Sequence, residues 1–112
     1  MRVNELRVSE NFKLREFECP CCKTVKLHPL LLERLQELRN IWQRPIVITS
    51  GYRCEKRNSE VGGVPRSRHR EGRAADIHVP ANRQEEFKRL AEVCGFAKVI
   101  LYLERGFVHL ET

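Results

Sequence analysis

Two imidazoles and a carboxylate, His69, Asp76 and His109, are the side chains of this sequence best suited to act on one centre. His and Asp are zinc ligands, and three protein ligands with the fourth position left to water mark a catalytic zinc site, whereas a structural site closes all four. One His or Asp alone is usually a surface or hydrogen-bonded group, so the weight falls on the spacing. His69 sits among Ser67, Arg68, Arg70 and Gly72, which read as a loop, and residues 73–79 read as a strand that carries Asp76 back past it. Residues 106–111 read as a second strand, in which the period of two sets Phe107 and His109 on one face and Val108 and Leu110 on the other. His109 would then come from a neighbouring strand.

The remaining elements must hold those strands. Residues 28–42 place Leu31, Leu35, Leu38 and Trp42 on one helical face, with Pro29 in the first turn, His28 at the start and Pro45 beyond the end. Residues 46–49 are a short β-branched run and predict a buried strand. Residues 55–61 predict a short helix stopped by Gly62 and Gly63. Residues 82–94 predict a longer one, with Asn82 as N-cap, Glu85 completing a capping box, Phe87, Leu90, Ala91 and Cys94 on one side, and Gly95 after the end. Residues 98–103 and 106–111 predict a hairpin turning at Glu104 and Arg105. Strands interspersed with helices, without strict β-α-β alternation, predict one α+β domain over residues 1–112, a small antiparallel or mixed sheet backed by helices. The metal would lie on the face the helices leave open.

With 21 Lys and Arg against 15 Asp and Glu, the net charge is +6, which favours a polyanionic partner such as peptidoglycan with its teichoic acids. The basic residues Arg34, Arg39, Arg44, Arg53, Arg57, Arg66, Arg68, Arg70 and Arg73 are scattered with few aromatics among them, so no stacking platform for nucleic acid is expected. No stretch is long and apolar enough to span a bilayer, and the N-terminus alternates charged and apolar residues instead of forming a signal-peptide core. A monomer made in the cytoplasm is expected, and any export must use a route other than a signal peptide.

Five cysteines, Cys19, Cys21, Cys22, Cys54 and Cys94, leave two readings open. Two of the first three with the distant pair could close a structural zinc site, or the thiols could simply be reduced, an odd count arguing against a full disulfide framework. Cys94, at an apolar helix position, suits the core. His78 shares the strand face of Asp76 and could approach the metal, although a solvent-exposed or supporting place suits it better.

Ser67-x-His69-x-x-Gly72-x-Ala74-x-Asp76 with the downstream His109 resembles the ligand signature of the zinc D-Ala-D-Ala carboxypeptidases and related murein peptidases, whose fold is shared with the Hedgehog signalling domain. Asn11-Phe12 to Cys19, Ile46 to Cys54 (with Ser50-Gly51-Tyr52-Arg53) and Asn58 to Gly63 resemble the small phage and bacterial members of that family, so the likeness covers nearly the whole chain. It implies a Hedgehog/DD-peptidase-like fold, zinc held by His69, Asp76 and His109, and hydrolysis of peptide bonds in peptidoglycan stem peptides, by carboxypeptidase or endolysin-like endopeptidase action. It also implies substrate holding by Arg53, whose planar donors suit a carbonyl or carboxylate. Ser67 could bind substrate or orient the His69 loop. Many family members carry an acidic residue three positions before the last His ligand; here that position is Gly106. Glu104, at the hairpin turn, is the favoured general base, and Glu111, on the strand face of His109, the favoured partner for a ligand imidazole. Two other classes remain: a metal-binding module without catalysis, and a basic nucleic-acid-binding protein with a cysteine zinc site.

Overall fold

Alternation along the C-terminal half builds the sheet. A computed structural model describes residues 3–65 and 67–112. Met1, Arg2 and Arg66 lie outside it, and with them the start of the alternating N-terminal stretch and one member of the basic series. Strands β1 (Ile48–Ser50), β2 (Ala74–His78), β3 (Lys98–Tyr102) and β4 (Phe107–Glu111) form one sheet in the order β1-β2-β4-β3, with every pairing antiparallel. The expected α+β class is found, and of the two sheet types allowed, the antiparallel one. Ala75 and Ile77 of β2 and Val108 and Leu110 of β4 are fully buried on one face. Their neighbours Asp76, Phe107 and His109 take the other, as the period of two requires.

Helices α1 (Pro29–Trp42) and α3 (Gln84–Val93) cover the buried face. Leu31, Leu35 and Leu38 of α1 and Phe87 and Ala91 of α3 join the core, and Trp42 meets Phe87 edge to face at 5.1 Å between ring centres. His28 caps α1 as expected of a helix start, its Nδ1 accepting from the Leu30 amide at 3.1 Å. The start of α3 differs from expectation. Residues Ala81–Arg83 form a 3-10 turn, and α3 begins at Gln84 with Arg83 as an N-cap whose side chain makes no capping hydrogen bond. The Asn82–Glu85 capping box is therefore not formed. Buried Gln84 ties the helix start down instead, its Nε2 donating to the carbonyls of Val79 at 2.9 Å and Tyr102 at 3.1 Å.

The segment before α1 adds Phe12 and Phe17 to the core and is bonded to the exit of β1, where the Tyr52 amide donates to the Phe17 carbonyl at 2.8 Å. The approach is so close that a Cβ on Gly51 would lie 2.7 Å from the Phe17 Cα. A short helix α2 (Glu55–Glu60) follows, capped by the Cys54 sulfur. Buried Asn58 then donates to the Val64 carbonyl at 2.7 Å and shapes the Val61–Val64 loop. Cys94 packs in the core beyond α3, while the Cys54 thiol lies with those of Cys19, Cys21 and Cys22. The expected use of both distant cysteines in one metal site is thus corrected, because Cys94 packs among core residues and is not one of the clustered thiols.

Candidate active site

The open face of the sheet floors a cleft of about 570 Å³ whose lining includes Arg53, Ser67, His69, Asp76, His109 and Glu111. Asp76 and His109 are directly paired across β2 and β4, so both side chains rise from the same face at neighbouring positions. His69 arrives from a 3-10 turn, Arg68–Glu71, started by Ser67, whose hydroxyl accepts from the His69 amide at 3.2 Å. Gly72 ends that turn with φ +70°, and a Cβ there would lie 2.5 Å from the Lys26 carbonyl oxygen. Only glycine allows both the left-handed bend and the contact.

Ligand-type atoms of His69, Asp76 and His109 lie within 4.8 Å of one another, and the three side chains are only 2%, 8% and 13% exposed. His69 Nδ1 stands 2.8 Å from the Gly51 carbonyl oxygen, which can only accept, so the proton sits on Nδ1 and Nε2 faces the centre with a lone pair. That Nε2 is buried and has no hydrogen-bond partner, although Asp76 Oδ1 is 3.3 Å away. The separation would permit an ion pair; the alignment gives no hydrogen bond. Two lone-pair atoms facing each other in a buried place fit a shared cation, and a tetrahedral zinc with bonds of about 2.0–2.1 Å sets neighbouring N and O ligands roughly 3.3 Å apart. His109 is held similarly, with Nε2 2.9 Å from Glu111 Oε1 and Nδ1 2.9 Å from Asp76 Oδ1. The residues present therefore suit a metal.

Burial works against charge here and hydrogen bonding overrides it. Burial alone would raise the Asp76 pKa, but the hydrogen bond from His109 and the nearness of the His69 and His109 rings hold it far below the usual carboxylate range. Burial would lower the His109 pKa, but Asp76 and Glu111 raise it above an ordinary imidazole. Asp76 is an anion with one oxygen aimed at the histidines and the other held by Arg53, whose Nη2 donates to Oδ2 at 3.2 Å while its Nε donates to Ser50 Oγ at 3.1 Å. Arg53 thus lines the cleft and fixes a candidate ligand at once, which its spacing in the sequence did not disclose.

Glu104 does not reach this centre. It stands exposed in the turn between β3 and β4, outside the cleft lining, because the turn closes on the Tyr102 carbonyl through the Arg105 and Gly106 amides at 3.2 and 3.0 Å. His109 lies two residues further along β4 than Phe107, roughly 7 Å down the strand. Gly106 itself has φ +70°, a conformation that an acidic residue there would adopt only under strain. Glu111 and Asp76 are the carboxylates that line the cleft among the described residues. His78, on the face of Asp76, is exposed and outside the cluster. The Gly51 carbonyl was invisible to reasoning from side-chain types; its only signal was the glycine after Ser50.

Among curated proteins, none matches the chain. An antiparallel α+β sheet presenting His, Asp and His at the foot of one cleft is compatible with the fold of a known peptidase group, and with the Peptidase M15 family model matching residues 5–111, nearly the entire length, the chain belongs to the Peptidase M15 family.

Proposed function

We propose that this peptidase uses zinc held by His69, Asp76 and His109 to hydrolyse peptide bonds in peptidoglycan stem peptides. The observation that carries the reading is the buried, unpartnered Nε2 of His69 facing Asp76 Oδ1 across 3.3 Å beside His109. Zinc in such a site supplies Lewis acidity, lowering the pKa of water toward neutrality and polarising a carbonyl. The chain supplies the rest. Gly51 and Glu111 fix the two rings through their far nitrogens, and Arg53 fixes Asp76 while offering its remaining guanidinium donors to a substrate carbonyl or carboxylate. Glu111 takes the proton from the attacking water and returns it to the leaving amine, a role for which Glu104 stands too far out on its turn. Ser67 orients the His69 loop. The rim carries Arg68, Lys98 and Arg105, suited to the free carboxylates of stem peptides.

Purified muropeptides incubated with the protein, with and without a chelator, test this by mass spectrometry. Loss of a terminal D-Ala identifies a carboxypeptidase, and an internal cut an endopeptidase. Unchanged muropeptides under zinc-replete conditions would overturn the reading. Glu111→Gln should keep zinc and fold yet lose on the order of 100-fold in kcat, with Glu104→Gln near wild type. The reverse pattern would return the base to Glu104.

A further inference from the structure

A second cluster lies away from the cleft, where the N-terminal segment meets the exit of β1. The Sγ atoms of Cys19 and Cys21 are 3.4 Å apart, those of Cys19 and Cys54 3.5 Å, and those of Cys21 and Cys54 3.3 Å, and all four thiols, Cys22 included, lie within 4.8 Å of one another. These separations are far above the roughly 2.05 Å of a disulfide. They lie close to the edge of a sulfur tetrahedron around zinc, about 3.8 Å for bonds of about 2.3 Å. Three thiols in mutual contact cannot all be satisfied by disulfides, whereas one ion satisfies all four. The backbone folds the first three inward: the Cys19 amide donates to the Thr24 carbonyl at 2.8 Å, the Lys23 amide donates back to the Cys19 carbonyl at 2.9 Å, and Lys23 is left-handed with φ +62°. The fourth is oriented by the Arg57 amide, which donates to the Cys54 sulfur at 3.4 Å, a supporting bond of the kind that steadies a metal thiolate.

We propose that Cys19, Cys21, Cys22 and Cys54 bind a structural zinc ion that staples the N-terminal segment to the strand exit bearing Gly51 and Arg53. Four thiolates close the coordination shell and leave no position for water, so this ion does no chemistry. Its place gives it leverage. Gly51 holds the proton of His69, Arg53 holds Asp76, and Cys54 is the next residue, so the staple fixes the frame on which the candidate active site is built.

Metal analysis and cobalt spectroscopy on the full chain test this. Wild type should carry about two zinc ions per chain, and Cys22→Ser/Cys54→Ser about one, whereas His69→Ala/Asp76→Ala should lose only the other. Cobalt-loaded protein should show thiolate-to-metal charge-transfer absorption that survives in His69→Ala/Asp76→Ala. Should the cysteine variant fold poorly, wild type serves alone: titration with an organomercurial in the presence of a zinc indicator should release one zinc in step with four thiols. Disulfide masses in the intact protein, iron in place of zinc, or cobalt absorption lacking the thiolate band would each overturn the proposal.

Discussion

Arg53 makes two bonds in different directions from one rigid fork, to Asp76 and to Ser50, and an ammonium cannot reproduce both. Arg53→Lys is therefore expected to fold normally but to bind zinc about 10- to 100-fold more weakly, the usual effect of losing a group that orients a ligand, and to lose kcat/KM even when saturated with metal. Unchanged zinc affinity and kcat/KM would show that the pairing is incidental. A pH effect in the metal-free protein follows from the same centre. Asp76 has a depressed pKa, so its contribution to stability is present above the unfolded value and is lost as pH falls through the folded one. His109 has a raised pKa, so its contribution is complete below about 6.5 and is lost as pH rises through the folded value. The Tm of chelator-treated protein should fall as pH rises above about 6.5 and through the raised folded value, and do so less in His109→Gln. An equal slope in the two would remove His109 as the cause. The three ligand-type residues were readable from residue type and spacing. The Arg53–Asp76 bond and the Gly51 carbonyl were not, since they depend on where β1 ends relative to β2.

Amphipathic periods made α1 and the two C-terminal strands legible to within a residue or two, because a buried face imposes its repeat on the sequence. The start of α3 was misplaced because Asn82 and Glu85 have the composition of a capping box while the backbone takes a 3-10 turn, and buried Gln84 gains more by bonding Val79 and Tyr102 than a surface cap would provide. Glu104 stands outside the cleft lining for a similar reason, since a tight turn leaves it exposed whatever its distance along the chain from His109. The junction of the N-terminal segment with β1 carries its own test. A methyl on Gly51 would meet the Phe17 Cα at 2.7 Å and its carbonyl oxygen at 2.9 Å, both backbone atoms that cannot swing aside. Gly51→Ala should cost about 1–3 kcal/mol in urea unfolding, as overpacking does. It should also lower kcat under conditions where the protein remains fully folded, because the displaced carbonyl is the partner of His69 Nδ1. A stability loss with full kcat would mean that the carbonyl does not position the ring.

Charge over the entire surface was readable as a number, +6, but not as a place, because basic residues scattered along the chain are gathered only by the fold. Lys98 opens β3 and Arg105 sits in the turn beyond it, and the hairpin brings both to the rim of the cleft beside Arg68. Arg68 is paired with Glu71 at 2.7 Å, whereas Lys98 and Arg105 make no ion pair among the described residues. Their field is therefore directed at whatever enters the cleft, and the stem peptide proposed as substrate carries free carboxylates. Both residues are exposed, so their attraction acts mainly on encounter and initial binding and is screened by salt over about 10 Å at 0.1 M. Lys98→Glu/Arg105→Glu should raise KM for a carboxylate-bearing muropeptide by about tenfold at low salt, worth about 1.4 kcal/mol, with kcat nearly unchanged and the difference shrinking as salt is added. An amidated peptide without carboxylates serves as the control and should respond little. If both peptides lose KM equally, the two residues shape the cleft without reading charge; if kcat falls instead, the rim acts on the reacting centre itself.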